Sequence, residues 1–321
     1  MARWEKISVT ALLLCLFSAL VGQAWWLTLT VDEPAHLLSA HLYWKGRDRL
    51  YPRDVPPLIK IVGGWPSLFF DMPVPPDLGQ AGDPRQEWTE SAEMVGRMAL
   101  NGSRLQSYLF CSRLALTSLS VLAVVVLWLW ARRLFDPLTG VIVASLWAMT
   151  PLALGHGALF KNDVAATTTY LLFWYVAWRY WSSPELKEAV LLGTVVALVT
   201  LSKNSMLFLL PVAPAVAALR CGLSRRTVAH MLLIVLACLG VLVGAWPSDW
   251  HWISQTEVAS VAAEQNAPPP WFLTVVGKLT WVPVPEALWI GTVSLFRANA
   301  SFLPVYMLGQ IYPAGHRGYF L

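Results

Sequence analysis

Apolar residues gather in seven runs along the chain, at roughly 7–27, 108–131, 138–160, 164–181, 189–202, 205–219 and 228–247. A helix of about 20 residues crosses a hydrocarbon layer of about 30 Å, so most of these runs read as membrane crossings. The fifth and sixth are short and parted only by Lys203 and Asn204. One unbroken helix of about 30 residues would bury a lysine at mid-membrane, which is costly. A hairpin turning at Lys203 is the cheaper arrangement. The pattern predicts an all-α membrane protein, a polytopic bundle of about seven transmembrane helices, with a long first outer loop at about 28–107 carrying short interfacial helices.

Composition supports this and removes the alternative. The 321 residues would allow two soluble domains, but 56% are apolar and only 13% charged, against roughly 25% charged in soluble chains. The net charge is 23 − 19 = +4 without a dense basic patch, which argues against a nucleic-acid partner. Placement of the charges says more than their sum. With alternating crossings, Arg3 and Lys6, Arg132 and Arg133, Arg179 and Lys187, and Arg220, Arg225 and Arg226 share one side. By the positive-inside rule that side is cytoplasmic, with the N-terminus. Trp25, Trp26, Trp246 and Trp250 then mark outer interfaces. Residues Gly22-Gln23-Ala24 resemble a signal-peptide cleavage site, but the later spans favour a retained first helix. Cys15, Cys111, Cys221 and Cys238 have no metal or redox spacing and read as packing residues.

Two regions are expected: 1–247, a transmembrane domain including the loop 28–107, and 248–321, an outer-face segment. Within the second, 284–296 is too short to span and reads as re-entrant or interfacial. The stretch 71–87, rich in Pro, Asp and Gly, reads as a linker. Asn299-Ala300-Ser301 forms a sequon that reads as incidental.

The outer side collects the residues that carry chemistry. Asp32 and Glu33 are adjacent in Val31-Asp32-Glu33-Pro34-Ala35-His36, just past the first run. A partly desolvated carboxylate there suits a general base; equally, Asp-Glu-Pro is first-turn helix chemistry. Pro56-Pro57-Leu58-Ile59-Lys60 fixes a rigid entry into an apolar run, and Lys60 reads either as a phosphate contact or as a snorkelling interfacial lysine. Asp163 sits in a short turn between apolar helices, a site candidate by default or a helix cap paired with Lys161. His156, two helical turns earlier, shares its face or is a packing residue. Arg113 and Lys203 are cations inside apolar runs, suited to a phosphate or carboxylate ligand, or to structural pairing with Asp32, Glu33 and Asp163.

This series resembles the lipid-dependent membrane glycosyltransferases of the protein O-mannosyltransferase and aminoarabinose transferase type, family 39-like, with the GT-C fold. The resemblance rests on Asp32-Glu33-Pro34-Ala35-His36, Gly46-Arg47-Asp48, Pro56-Pro57-Leu58-Ile59-Lys60, Cys111-Ser112-Arg113-Leu114, Lys161-Asn162-Asp163, Leu201-Ser202-Lys203 and the tail from Tyr306 to Phe320, in that order. It departs at Val55, where the family carries His or Lys, and at Leu321, beyond which the family continues into further helices, so a C-terminally truncated chain is expected.

The resemblance implies inverting transfer of a sugar from a polyprenyl-phosphate donor to a protein, lipid or glycan acceptor on the outer face. It implies Asp32 as general base, Glu33 as a positioning group and Asp163 as a second acidic site residue. Arg113, Lys60 and Lys203 would face the donor phosphate, in that order of preference, and His36, His156, Pro56 and Pro57 complete the candidate site. No cofactor is required for this chemistry, since the cations can neutralise the phosphate. Partners are then membrane lipid, the lipid-linked donor and the acceptor, with a bacterial inner membrane as the setting and a periplasmic site. A silent paralogue that binds a lipid-linked glycan, or a transporter using Asp32, Asp163 and Lys203, are the competing readings.

Overall fold

The computed structural model describes residues 2–46, 51, 54–70, 84–100, 104–222, 224–246, 250–264, 267–300, 305–307 and 310–312. Arg47, Asp48, most of the stretch 71–87, Ser301 of the sequon and most of the Tyr306–Phe320 tail lie outside the described residues. The chain divides into two compact units, Met1–Trp246 and Pro247–Leu321.

The regular structure of the first unit is helical among its described residues. In order, α1 is Arg3–Trp26, α2 Glu33–Trp44, α3 Leu58–Gly64, α4 Pro84–Leu100 and α5 Leu105–Leu134. They are followed by α6 Pro137–Ala148, α7 Pro151–Gly157, α8 Asn162–Ser182, α9 Leu186–Ser202, α10 Val212–Cys221 and α11 Arg225–Ala245. Among the described residues, four helical stretches are long and apolar enough to cross a membrane: α1, α5, Asn204–Cys221 and α11. The pair α6 and α7 makes a fifth if its 61° bend is taken within one crossing. The third apolar run is therefore not one straight helix. Thr150-Pro151 breaks it, because a proline ring removes a backbone donor and disfavours helix in the preceding residue. The stretches α8 and α9 occupy two more of the expected runs without meeting the same measure of length and composition.

The break expected at Lys203 forms: α9 ends at Ser202, and a 3-10 turn begins at Asn204. Ladders of small and apolar residues join α1, α5 and α6, with Leu16, Leu20, Ala24, Val124 and Ala144 buried together. On α11, Leu232, Leu236, Leu239 and Val243 face outward, as lipid-facing positions of a spanning helix do. The long loop does carry helices, but α2 is interior rather than interfacial, with every residue from Glu33 to Leu42 buried. Trp246 departs from its expected interfacial place: it is 1% exposed, whereas Trp25 and Trp26 are open.

The second unit holds β1 Trp250–Trp252, α12 Gln255–Ala262, α13 Pro270–Lys278, β2 Pro283–Pro285, α14 Glu286–Ala300, β3 Val305–Met307 and β4 Gln310–Tyr312. The first two strands pair antiparallel, as do the last two. Ser254 caps α12 in a capping box with Glu257, which satisfies donors at both ends of the first turn. Ile253, Val258, Val261, Leu273, Trp289 and Val293 form the core. The apolar residues expected to make 284–296 interfacial are largely spent inside this core.

Candidate active site

Asp32 and Glu33 are neighbours in sequence and opposites in the structure. Asp32 lies one residue before α2, exposed, and its side chain makes no capping bond. Glu33 opens the helix and is wholly buried. Its Oε1 accepts from Arg113 Nε at 2.7 Å and from the Phe160 amide at 2.8 Å. Its Oε2 accepts from Arg113 Nη2 at 2.6 Å and from the Thr30 amide and hydroxyl at 2.9 and 3.0 Å. Burial alone would raise the Glu33 pKa; the bonds from Arg113, Phe160 and Thr30, with the guanidinium charge, outweigh it and hold the carboxyl below its ordinary value.

Arg113 is equally committed. Beyond the forked contact with Glu33, Nη1 donates to the carbonyls of Ala24 and Leu27 at 3.2 and 2.7 Å, and Nη2 to Thr28 at 2.8 Å. All five guanidinium N–H groups are thereby used. Arg113 is 0% exposed, so no donor remains to meet a phosphate. The structural pairing, one of the two readings of its sequence position, is the arrangement found. The pair ties the end of α1, the start of α2, α5 and the α7–α8 turn into one knot.

That turn carries Asp163. Lys161 precedes the first residue of α8, and Asp163 lies in its first turn. Lys203 Nζ donates to Asp163 Oδ1 at 3.0 Å, Lys161 Nζ lies 3.3 Å from Oδ2, and His156 Nδ1 lies 3.8 Å from Oδ2. Burial works to raise the Asp163 pKa, but Lys203 and Lys161 prevail and keep it low. Unlike Glu33, this group is open: Asp163 and Lys203 side chains are 42% and 43% exposed. His156 and Asp163 also form the polar lip of a cavity of about 300 Å³ between α1, α5, α6, α7 and α8. Its remaining lining is mostly small or apolar, including Leu16, Ala123, Trp147 and Val164. The turn itself is held by close packing. A Cβ at Gly63 of α3 would fall 2.1 Å from the Phe160 ring, so only glycine lets α3 approach the residue whose amide binds Glu33.

The Pro56-Pro57 segment leads into α3, with Pro56 and Pro57 buried. Lys60 does not snorkel: it is 1% exposed, and its Nζ donates to the Tyr51 carbonyl at 3.0 Å. His36 lies close by, its ring edge-on to Trp88 at 5.4 Å between centroids. Burial, with the Lys60 charge, brings the His36 pKa down to about 3, so the ring is neutral. Trp88 Nε1 donates to Asp54 Oδ1 at 3.0 Å. Burial raises the Asp54 carboxyl against that bond and the Lys60 charge. The Asp54 carbonyl accepts from Asn204 Nδ2 at 2.9 Å, which connects this loop to the 3-10 turn. Sequence marked Asn204 only as part of the break at Lys203, and it marked neither Asp54 nor Trp88 as a contact, because the partners lie 34 and 150 residues away.

Residues 95–251, just under half of the chain, match the family model described as dolichyl-phosphate-mannose-protein mannosyltransferase. No curated protein and no solved structure matches the chain. The matched stretch contains Arg113, His156, Asp163 and Lys203, and it excludes Asp32, Glu33, His36, Pro56, Pro57 and Lys60. The match supports a GT-C mannosyltransferase-like glycosyltransferase. With the apolar helices, the chain is an integral, multi-pass, helical membrane protein similar to that family.

Proposed function

We propose that this chain transfers a sugar from a polyprenyl-phosphate donor to an acceptor hydroxyl, with Asp32 as general base. The observation that carries the reading is the division of labour between adjacent carboxylates. Glu33 is saturated by Arg113, Phe160 and Thr30, so it positions. Asp32 stands exposed beside it, so it is left to meet a substrate. The same Glu33–Phe160 bond fixes the turn that presents Asp163, setting the two acidic groups in one frame.

In this reading the acceptor oxygen attacks the anomeric carbon and Asp32 takes its proton. The bond from that carbon to the donor phosphate breaks, and the electron pair leaves with the phosphate, inverting the centre. Charge develops on the departing phosphate, where preorganised cations count most. Lys203 and Lys161 supply them, in place of the saturated Arg113, and Asp163 holds both ammonium groups in position. The apolar cavity behind His156 and Asp163 suits the first units of an isoprenoid chain. Aligning donor and acceptor supplies much of the remaining rate. The site faces the outer side of a bacterial inner membrane, following the placement of positive charges.

The test uses membranes containing the full chain and polyprenyl-phosphate [³H]mannose, reading label transferred to endogenous acceptors. Asp32→Asn should cut transfer by about 10²–10⁴-fold, the range of a lost general base, while donor photo-crosslinking is retained. Unchanged transfer in that variant would overturn the assignment.

A further inference from the structure

We propose that α13 of the second unit is a membrane-seated helix, lying in the headgroup zone of the bilayer through Trp271, Val275 and Leu279 just past its end. The argument begins with two helices of the same unit. Helix α12 is conventional: Val258 and Val261 point into the core, and exposed positions include Gln255, Thr256 and Ser260. Helix α13 carries large apolar side chains on both sides. Leu273 is in the core, with Phe272 and Val276 packed against it. The opposite face sends out Trp271 at 64% exposure, Val275 at 49% and, one turn on, Leu279 at 46%. These stand four residues apart, a spacing that stacks side chains on one helical face. Exposed Thr274 and Lys278 share that face, so it mixes large apolar side chains with a hydroxyl and an ammonium, the composition of a helix seated at a lipid boundary.

Neighbouring residues extend the patch. Trp281 is 72% exposed, and its Nε1 donates to the carbonyl of Lys278 at 3.1 Å. Trp252 is 64% exposed and pairs across β1–β2 with Pro283, two residues beyond Trp281. The Gln255 amide donates to the Gly277 carbonyl, keeping the end of α13 beside the start of α12. Three open tryptophans with an ammonium at their edge is the chemistry of the lipid headgroup layer. There, indole rings prefer the boundary and lysine reaches anionic phosphates. This places the interfacial element at α13 rather than at 284–296, whose apolar residues Trp289 and Val293 are already buried.

The test uses the full chain with its four cysteines replaced by serine, one copy per nanodisc of 3:1 phosphatidylethanolamine and phosphatidylglycerol. A single NBD fluorophore is placed through Val275→Cys or, for comparison, Ser260→Cys. Lipids carrying a doxyl group near the headgroup should quench the label at 275 at least threefold more than at 260, with iodide showing the reverse order. Equal iodide quenching at both sites would overturn the proposal. So would a label at 275 shielded from iodide and doxyl lipid alike, which would mean protein covers this face. If a second copy were the occupant, the label in single-copy discs would be open to iodide, which also overturns it.

Discussion

Near the C-terminal end of α5, two ion pairs each join one pair of helices and go no further. Arg132 reaches Glu5 of α1 at 2.6 Å, and Arg179 of α8 pairs with Glu188 of α9. Tyr180 and His230, 2.7 Å apart, join α8 to α11 in the same fashion. At the Arg113 end, 19 residues or about 28 Å along α5, the same residue types are used in two tiers. A sealed tier, Glu33 with Arg113, binds four segments of chain. An open tier, Asp163 with Lys203 and Lys161, hangs from the sealed one through Phe160, and its Asp163 and Lys203 side chains are more than 40% exposed. Ion pairing alone therefore does not mark a site. What separates the ends is that one of them spends a fully buried pair on holding an exposed set.

The largest effect should come from breaking the sealed tier. Arg113→Met leaves Glu33 buried without its counter-charge, a loss of about 3–5 kcal/mol of stability. A double variant, Glu33→Leu with Arg113→Met, should recover most of that stability, because replacing both ions removes the desolvation cost. It should not recover transfer if the knot positions Asp32 and Asp163. Arg132→Met also destabilises, but turnover per folded molecule should stay within about twofold of the parent. Chemical denaturation in detergent beside the transfer assay reads both quantities, and equal losses of turnover at the two ends would erase the distinction.

Next in size is the open tier. Lys203→Met removes an ion pair whose partners are both more than 40% exposed, so stability should change by about 0–1 kcal/mol. Donor affinity should fall about tenfold, as expected on losing one charge-assisted contact to a phosphate. A donor titration showing unchanged KM would remove Lys203 from the phosphate site.

The smallest effect is invisible at neutral pH. The His36 pKa falls from 6.5 to about 3 on folding. Above pH 6.5 both states are neutral and the group contributes nothing. Below it the unfolded chain takes a proton that the folded one refuses until about pH 3, so the penalty on folding grows through that window. His36→Phe should shift acid unfolding to lower pH; an unmoved midpoint would show that the ring is solvated.

Much of this plan was legible in the chain. Lys203 and Asn204 interrupt an apolar stretch, and the break between α9 and the following turn falls there because a buried ammonium costs more than a bend. Asp32-Glu33-Pro34 announced a helix start with chemistry attached. What the linear reading left open was which carboxylate would be consumed. That depends on Arg113, 80 residues away, and on a backbone amide 127 residues away. For Arg113 the sequence left a phosphate ligand and a structural pair both open, since nothing local reveals that three carbonyls from the end of α1 and the segment after it absorb its remaining donors. Thr150-Pro151 carried the signal for the bend in the third run, but hydropathy summed over a window passes across it. Trp246 shows the limit of composition: the same ring suits a lipid boundary or a packed interior, and only its neighbours decide.

The knot around Glu33 also constrains how the chain is made. At roughly 5–20 residues per second, Arg113 leaves the ribosome about 4–16 s after Glu33, and Phe160 follows a few seconds later. During that interval the carbonyls of Ala24 at the end of α1, and of Leu27 and Thr28 just after it, lack the Arg113 donors they meet in the folded chain. Until its cation arrives, the Glu33 carboxylate can be satisfied only by water or by protonation. Assembly of this end is thus a late event of biogenesis, and a nascent chain halted before α5 emerges would present Glu33 to quality control as an orphan charge.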